Sequence, residues 1–148
     1  MSETIKIKYF KNALGEVQEP VVKKKQGDCI DLRSNATFNL SKGDFAFIHL
    51  GVGMKLPEGY EAHLAPRSST FKNWHILQVN SVGVIDNSYS GDNDEWMMAV
   101  YATEDTIIAR GDRICQFRIM KKQPEIEFET VEHLDELSRG GFGSTGSN

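Results

Sequence analysis

The chain has 148 residues, 39% of them hydrophobic, and a formal net charge of −4 at pH 7. One domain of this size buries a real core, and no apolar run approaches the roughly 20 residues of a membrane span. Residues 1–10 carry no signal-type apolar segment, so a cytoplasmic protein is expected, and the acidic balance weighs against a duplex-binding protein.

In chain order, Ile5, Ile7 and Tyr9 alternate with Lys6 and Lys8, the period of a half-buried strand. Lys23, Lys24 and Lys25 form a basic run that reads as a solvated loop. Residues 45–50 form an apolar run interrupted only by His49 and are expected to form a strand buried on both faces. After Pro66, Ser68 or Ser69 is expected to cap a short helix running towards Trp74. Residues 97–101 and 114–120 are further strand candidates, and Ile126 and Phe128 alternate with Glu125, Glu127 and Glu129. Val131, Leu134 and Leu137 have the spacing of two helical turns. Turn signals at 41–44, 57–59, 91–94 and 110–112 separate these runs. Many short strands with turns between them indicate an all-β sandwich, jelly roll or barrel.

The last part of the chain changes character. Residues 123–138 hold six acidic residues and no Lys or Arg, and residues 139–146 hold four of the 13 glycines. Such a segment builds no core, so the expected division is a β-barrel domain over 1–138 and a mobile Gly-rich tail over 139–148.

Several patterns lead nowhere. Gly141 to Gly146 fits G-x-G-x-x-G, but the dinucleotide fingerprint must open a helix, and only two residues follow. The carboxylates at 92–95 lack EF-hand spacing and read as a solvated turn. Cys29, Cys115 and the scattered histidines lack the short spacing of a zinc site, and both cysteines read as small buried hydrophobes. Ser68 and Ser69 lack the setting of a nucleophilic serine.

What remains is a constellation: Asp31-Leu32; Pro66-Arg67-Ser68-Ser69; Gly83-Val84-Ile85-Asp86 with Tyr89 and Gly91; Gly111-Asp112-Arg113-Ile114 with Gln116; and Arg139 with Phe142, Gly143, Ser144 and Thr145 among glycines. Singly, each has an ordinary explanation as turn, surface charge or core. Together and in this order, over about residues 27–146, they resemble the motifs of the homotrimeric dUTP diphosphatases.

The resemblance implies a jelly-roll-like β-barrel, three chains sharing each active site, and hydrolysis of dUTP to dUMP and pyrophosphate, which limits uracil in DNA and supplies dUMP for thymidylate synthesis. It implies Asp86 as the general base that deprotonates the water attacking the α-phosphorus in line. Arg67, Ser68 and Ser69 would bind phosphate oxygens, with Gln116 beside them. Mg2+ would be carried by the phosphates and water, with Asp31 contacting its water shell. Asn80 would read the uracil edge with backbone groups of Gly83 and Ile85. Tyr89 would pack under the deoxyribose, so that a 2′-hydroxyl would be buried unpaired at a cost of about 1–3 kcal/mol. Arg139, Gly143, Ser144 and Thr145 would close the tail over the phosphates, and Phe142 would stack on the base.

The chain also departs from the pattern. Asp28-Cys29-Ile30 replaces the small residues and aromatic usual before Asp31, and Ser88 stands where a second acid is common. Asn73-Trp74-His75 is bulkier than the usual stretch, and the last motif is two residues short. Two other readings stand beside dUTP hydrolysis. One is a dCTP deaminase-like enzyme, which needs a carboxylate near Trp96 and Met97, where the sequence is apolar. The other is a nucleotide-sensing regulatory binder, with a regulatory protein partner if the gene is viral. Neither direct nucleic-acid binding nor membrane association is expected.

Overall fold

The short apolar alternations become short strands, and the Gly, Asp and Pro clusters become the turns between them. The computed structural model describes residues 2–141. Its elements are β1 (Lys6–Tyr9), β2 (Ile30–Arg33), β3 (Phe38–Leu40), β4 (Phe45–His49), β5 (Val52–Lys55), β6 (Tyr60–Pro66), α1 (Thr70–Trp74), β7 (Ile76–Gln78), β8 (Gly83–Ile85), β9 (Met97–Ala102), β10 (Thr106–Ile108) and β11 (Arg113–Lys121). A four-stranded sheet runs β2-β11-β6-β8 and a three-stranded one runs β4-β9-β7. The ribbons β1-β5 and β10-β3 complete a jelly-roll-like barrel, and the pairings are antiparallel. No helix among the described residues is long and apolar enough to cross a membrane.

The core lies between the sheets. Leu32, Leu64 and Phe117 point in from the four-stranded sheet, and Ile48, Ile76, Met98 and Val100 from the three-stranded one; all are nearly inaccessible. Trp96 packs edge-on against Phe117 with centroids 5.2 Å apart. Full burial of side chains of this size contributes about 1.5–3 kcal/mol each. At Gly51 the backbone needs a glycine: φ is +70°, and an added Cβ would lie 2.7 Å from atoms of Asn35 and Gln18.

Several expectations are corrected. The run at 45–50 is not buried on both faces. Among the described residues β4 pairs with β9; Ile48 faces the core, while the opposite face leaves Phe45 and Phe47 55% and 51% exposed. The alternation at 125–129 makes no strand and the spacing at 131–137 makes no helix. Phe128 and Leu137 are almost wholly exposed, because the single chain offers no surface for them to pack on. Cys29 is exposed, not buried, whereas Cys115 is buried as expected. Ser69 occupies the N-cap position of α1, yet no side chain caps the helix there. Thr70 takes over the local turn: its hydroxyl accepts from the Arg67 N–H at 2.8 Å and donates to the Ile114 carbonyl at 2.9 Å.

Candidate active site

The proposed site residues fall into two groups on the barrel. The first gathers where β2, β11 and the end of β6 meet. Gln116 lies opposite both Asp31 on β2 and Ala65 on β6, and its amide donates to the Pro66 carbonyl at 3.2 Å. Arg67 follows directly after β6. Its Nε lies 3.1 Å from one Asp31 oxygen, and an Arg113 guanidinium nitrogen lies 3.4 Å from the other. Arg67 also donates to the Arg113 carbonyl at 3.2 Å. One carboxylate thus holds two guanidinium groups, all partly buried, leaving a net positive charge of one. Among the described residues, neither the Ser68 nor the Ser69 hydroxyl is tied up in a hydrogen bond; Ser68 is exposed and Ser69 half-buried. The buried Cys115 is next to Gln116. Desolvation pushes its thiol well above the usual value, and Asp31 adds to the shift while Arg67 opposes it, so it is inert as a nucleophile.

The second group lines a cleft of about 390 Å³ that includes Asn80, Gly83, Ile85, Asp86, Tyr89, Glu95 and Trp96. β7 pairs with β9 and β8 with β6, so the turn between them carries the chain from one sheet to the other. Gln78 spans that step, its amide donating to the Leu64 carbonyl at 3.0 Å. The turn is tight: Ser81 has φ +58°, and the Val82 N–H reaches the Asn80 carbonyl at 2.6 Å. Gly83 is buried, and a Cβ there would sit 3.4 Å from Leu64 and 3.6 Å from the Asn80 amide nitrogen. A lone Cβ there would make ordinary van der Waals contact with both.

Asp86 ends β8 as an exposed carboxylate in an Asx-type turn. The Ser88 N–H donates to its Oδ1 at 2.7 Å, and the Tyr89 N–H to its carbonyl at 3.0 Å. The neighbouring Asn87 Oδ1 accepts from the Leu56 N–H at 3.0 Å, which ties this turn to the barrel. The Ser88 backbone bond and then the Ser88 hydroxyl hold the Asp86 carboxyl below its ordinary value; desolvation opposes them, and the Lys122 charge adds a lesser lowering. It is therefore ionised and able to accept a proton at neutral pH. Tyr89 donates its phenol to the Glu95 carbonyl at 2.8 Å. Desolvation, then Asp94 and Glu95, push its phenol above the usual tyrosine value, so it stays protonated and a donor.

Asp31 and Arg113 border a different cleft, of about 250 Å³, and the cleft at Asp86 includes neither Arg67 nor Gln116. The chain therefore presents a cationic half and a cleft-lining half apart from one another. Arg139 is exposed, beyond the last strand. Phe142, Gly143, Ser144 and Thr145 lie outside the described residues. Sequence reasoning gave no role to Arg113, although it stands inside the quoted Gly111–Gln116 string. It also missed Glu95, which carries no motif signal.

A family model described as dUTPase matches residues 19–146. The chain is 54% identical over 143 residues, covering 97% of it and 98% of the relative, to the SPbeta prophage-derived deoxyuridine 5′-triphosphate nucleotidohydrolase YosS of Bacillus subtilis. It is 32% identical to the deoxyuridine 5′-triphosphate nucleotidohydrolase of Rickettsia prowazekii, over 96% of each chain. Among solved structures, a mutant dUTPase of phage 80alpha superposes with TM-score 0.80 at 21% identity, covering 98% of this chain and 100% of that one. A mutant dUTPase of phage phi11 of S. aureus, described with a structural Mg(II) ion, gives 0.73 at 19% identity, over 90% of this chain and 99% of that one. The chain belongs to the dUTPase family.

Proposed function

We propose that the chain hydrolyses dUTP to dUMP and pyrophosphate, with Asp86 as the general base. The observation that carries this reading is the exposed Asp86 carboxylate, held by the Ser88 N–H at 2.7 Å, at a cleft shared with Asn80, Gly83 and Tyr89. Asp86 takes a proton from water, the water oxygen bonds to the α-phosphorus, and the bond to the bridging oxygen breaks with pyrophosphate leaving. Asn80, with the backbone of Gly83 and Ile85, faces the uracil, and the Tyr89 ring lies against the deoxyribose. Arg67, Ser68, Ser69 and Gln116 bind phosphate oxygens, where positioning and charge neutralisation supply most of the catalysis. Arg139 and the residues from Phe142 to Thr145 close over the bound nucleotide.

Mg2+ fits this donor set as an ion carried by the nucleotide. Among the described residues no group of three His, Cys, Asp or Glu side chains forms a cage, and Mg2+ commonly binds through substrate phosphates, water and one or two carboxylates. Asp31, beside two guanidinium groups, is the carboxylate that would meet its water shell; the ion would neutralise phosphate charge.

The separation of the two halves supports a site shared between subunits of a homotrimer. So does the outer face of the three-stranded sheet, where Phe45, Phe47, Leu77 and Tyr101 are 42–55% exposed. An apolar face of this kind marks a contact surface. The exposed alternation at 126–137 fits the same reading, as a segment that packs on a neighbour. Light scattering should give the mass of three chains; a fully active monomer would refute the shared site.

A panel of dUTP, dCTP, dTTP and UTP, read for pyrophosphate and ammonia, tests the reaction. Pyrophosphate should come from dUTP, with Mg2+ present. Ammonia from dCTP would establish the deaminase reading instead, and no release from any nucleotide would establish the binder reading.

A further inference from the structure

We infer that Glu95 is a positioning residue for the nucleotide cleft, locking the backbone carbonyl that holds Tyr89. The inference rests on the dUTPase reading above.

Tyr89 sits at the rim of the cleft, 38% exposed, and its phenol is tethered by a hydrogen bond to the Glu95 carbonyl. A half-exposed ring with one polar tether keeps its orientation only as well as the tether's acceptor keeps its place. That acceptor follows the turn at 91–94, which closes on itself: the Gly91 N–H donates to Asp94 Oδ2 at 2.8 Å, and the Asp94 N–H to the Gly91 carbonyl at 3.1 Å.

Glu95 ties the end of this turn to the barrel. One carboxylate oxygen accepts from the buried Gly51 N–H at 2.9 Å, and the other lies 2.9 Å from His49 Nδ1. The Glu95 side chain is 18% exposed. His49 is itself steadied by Phe38, stacked 6.5 Å away and nearly parallel. The next residue, Trp96, exchanges backbone bonds with Val52 and Leu50. The acidic segment 92–95 is therefore a built bracket: Asp94 shapes the turn, Glu95 anchors it, and the Glu95 carbonyl presents a fixed acceptor to Tyr89. Glu95 touches no reacting atom; it acts through Tyr89.

Glu95 therefore governs how well the sugar is discriminated more than how fast the α-phosphate is attacked. The test measures kcat and KM for dUTP and UTP in wild type, Glu95→Ala, Glu95→Gln, Tyr89→Phe and the Ala/Phe double variant. Glu95→Ala should lower the dUTP/UTP ratio of kcat/KM by roughly tenfold, mainly by raising KM for dUTP. Glu95→Gln, which keeps an acceptor for Gly51, should recover most of it. In the Tyr89→Phe background, Glu95→Ala should change the ratio by less than about twofold, because linked residues are not additive. An unchanged ratio in Glu95→Ala, or full additivity with Tyr89→Phe, would overturn the inference. Should Glu95→Ala fail to fold, His49→Ala carries the test, since it removes one anchor and leaves the Gly51 bond; an unchanged ratio there overturns the inference equally. A wild type that splits no dUTP would overturn the dUTPase reading and this inference with it, a result distinct from an active wild type with an indifferent variant.

Discussion

Replacing Asp86 by Asn should lower kcat by about 10²–10⁴-fold while leaving nucleotide affinity within a few-fold. Asn is nearly isosteric. Its Oδ1 still accepts from the Ser88 N–H, so the turn that joins β8 to Tyr89 should keep its shape. What is lost is the proton acceptor. The pH profile provides a second check. Hydrogen bonds from Ser88 and the Lys122 charge favour the ionised form. The base therefore stays deprotonated as pH falls through the ordinary aspartate range, and the acid limb of kcat/KM should lie below that range. Above it, Asp86 should add no limb, because its ionisation is already complete. Single-turnover hydrolysis and calorimetric binding of a non-hydrolysable dUTP analogue separate the two effects. Turnover near wild type in Asp86→Asn would remove this residue from the role of base.

How much of this was legible in the sequence depends on what each residue answers to. β9 and β11 were readable because their apolar residues, such as Met98, Val100, Ile114 and Phe117, are buried by the barrel itself, and β1 because its lysines alternate with apolar residues, although Ile7 stays exposed. The string from Gly83 to Gly91 stood out because a tight turn and a carboxylate proposed to act as a base leave few residue choices. β4 was misread, since an apolar run cannot say whether its outer face meets a second sheet of the same chain or something else. Residues 126–137 were misread for a related reason: amphipathic spacing promises a partner surface, and the single chain holds none. The Arg67–Asp31–Arg113 cluster and the Glu95 bracket were not readable. Both join residues far apart in sequence through register and side-chain geometry, and neither leaves a local pattern. Thr70 in place of a serine cap is a smaller case of the same kind. A hydroxyl three residues from Arg67 serves the turn by bonding forward to β11.

Removing residues 139–148 should reduce dUTP hydrolysis by about 10²–10³-fold, a loss on the scale of deleting charge-stabilising donors from a reacting centre. The same truncation should shift the melting temperature by no more than about 2 °C. The second half of that expectation follows from the fold. β11 ends at Lys121, the buried hydrophobic residues run from Leu32 to Phe117, and Arg139 is exposed. No described core residue therefore depends on the segment removed. The first half follows from charge. A triphosphate carries more negative charge than Arg67 and Arg113 offset, since Asp31 already neutralises one of the two. Arg139 supplies a further cation, and one brought in after the nucleotide binds can exclude water as it arrives. Arg139→Ala alone should reproduce much of the loss, seen in kcat more than in KM, if the group engages chiefly as charge develops in the transition state. Full activity in the truncated chain would show that the barrel completes the site by itself. A collapse of the melting temperature together with activity would show instead that the segment belongs to the folded body.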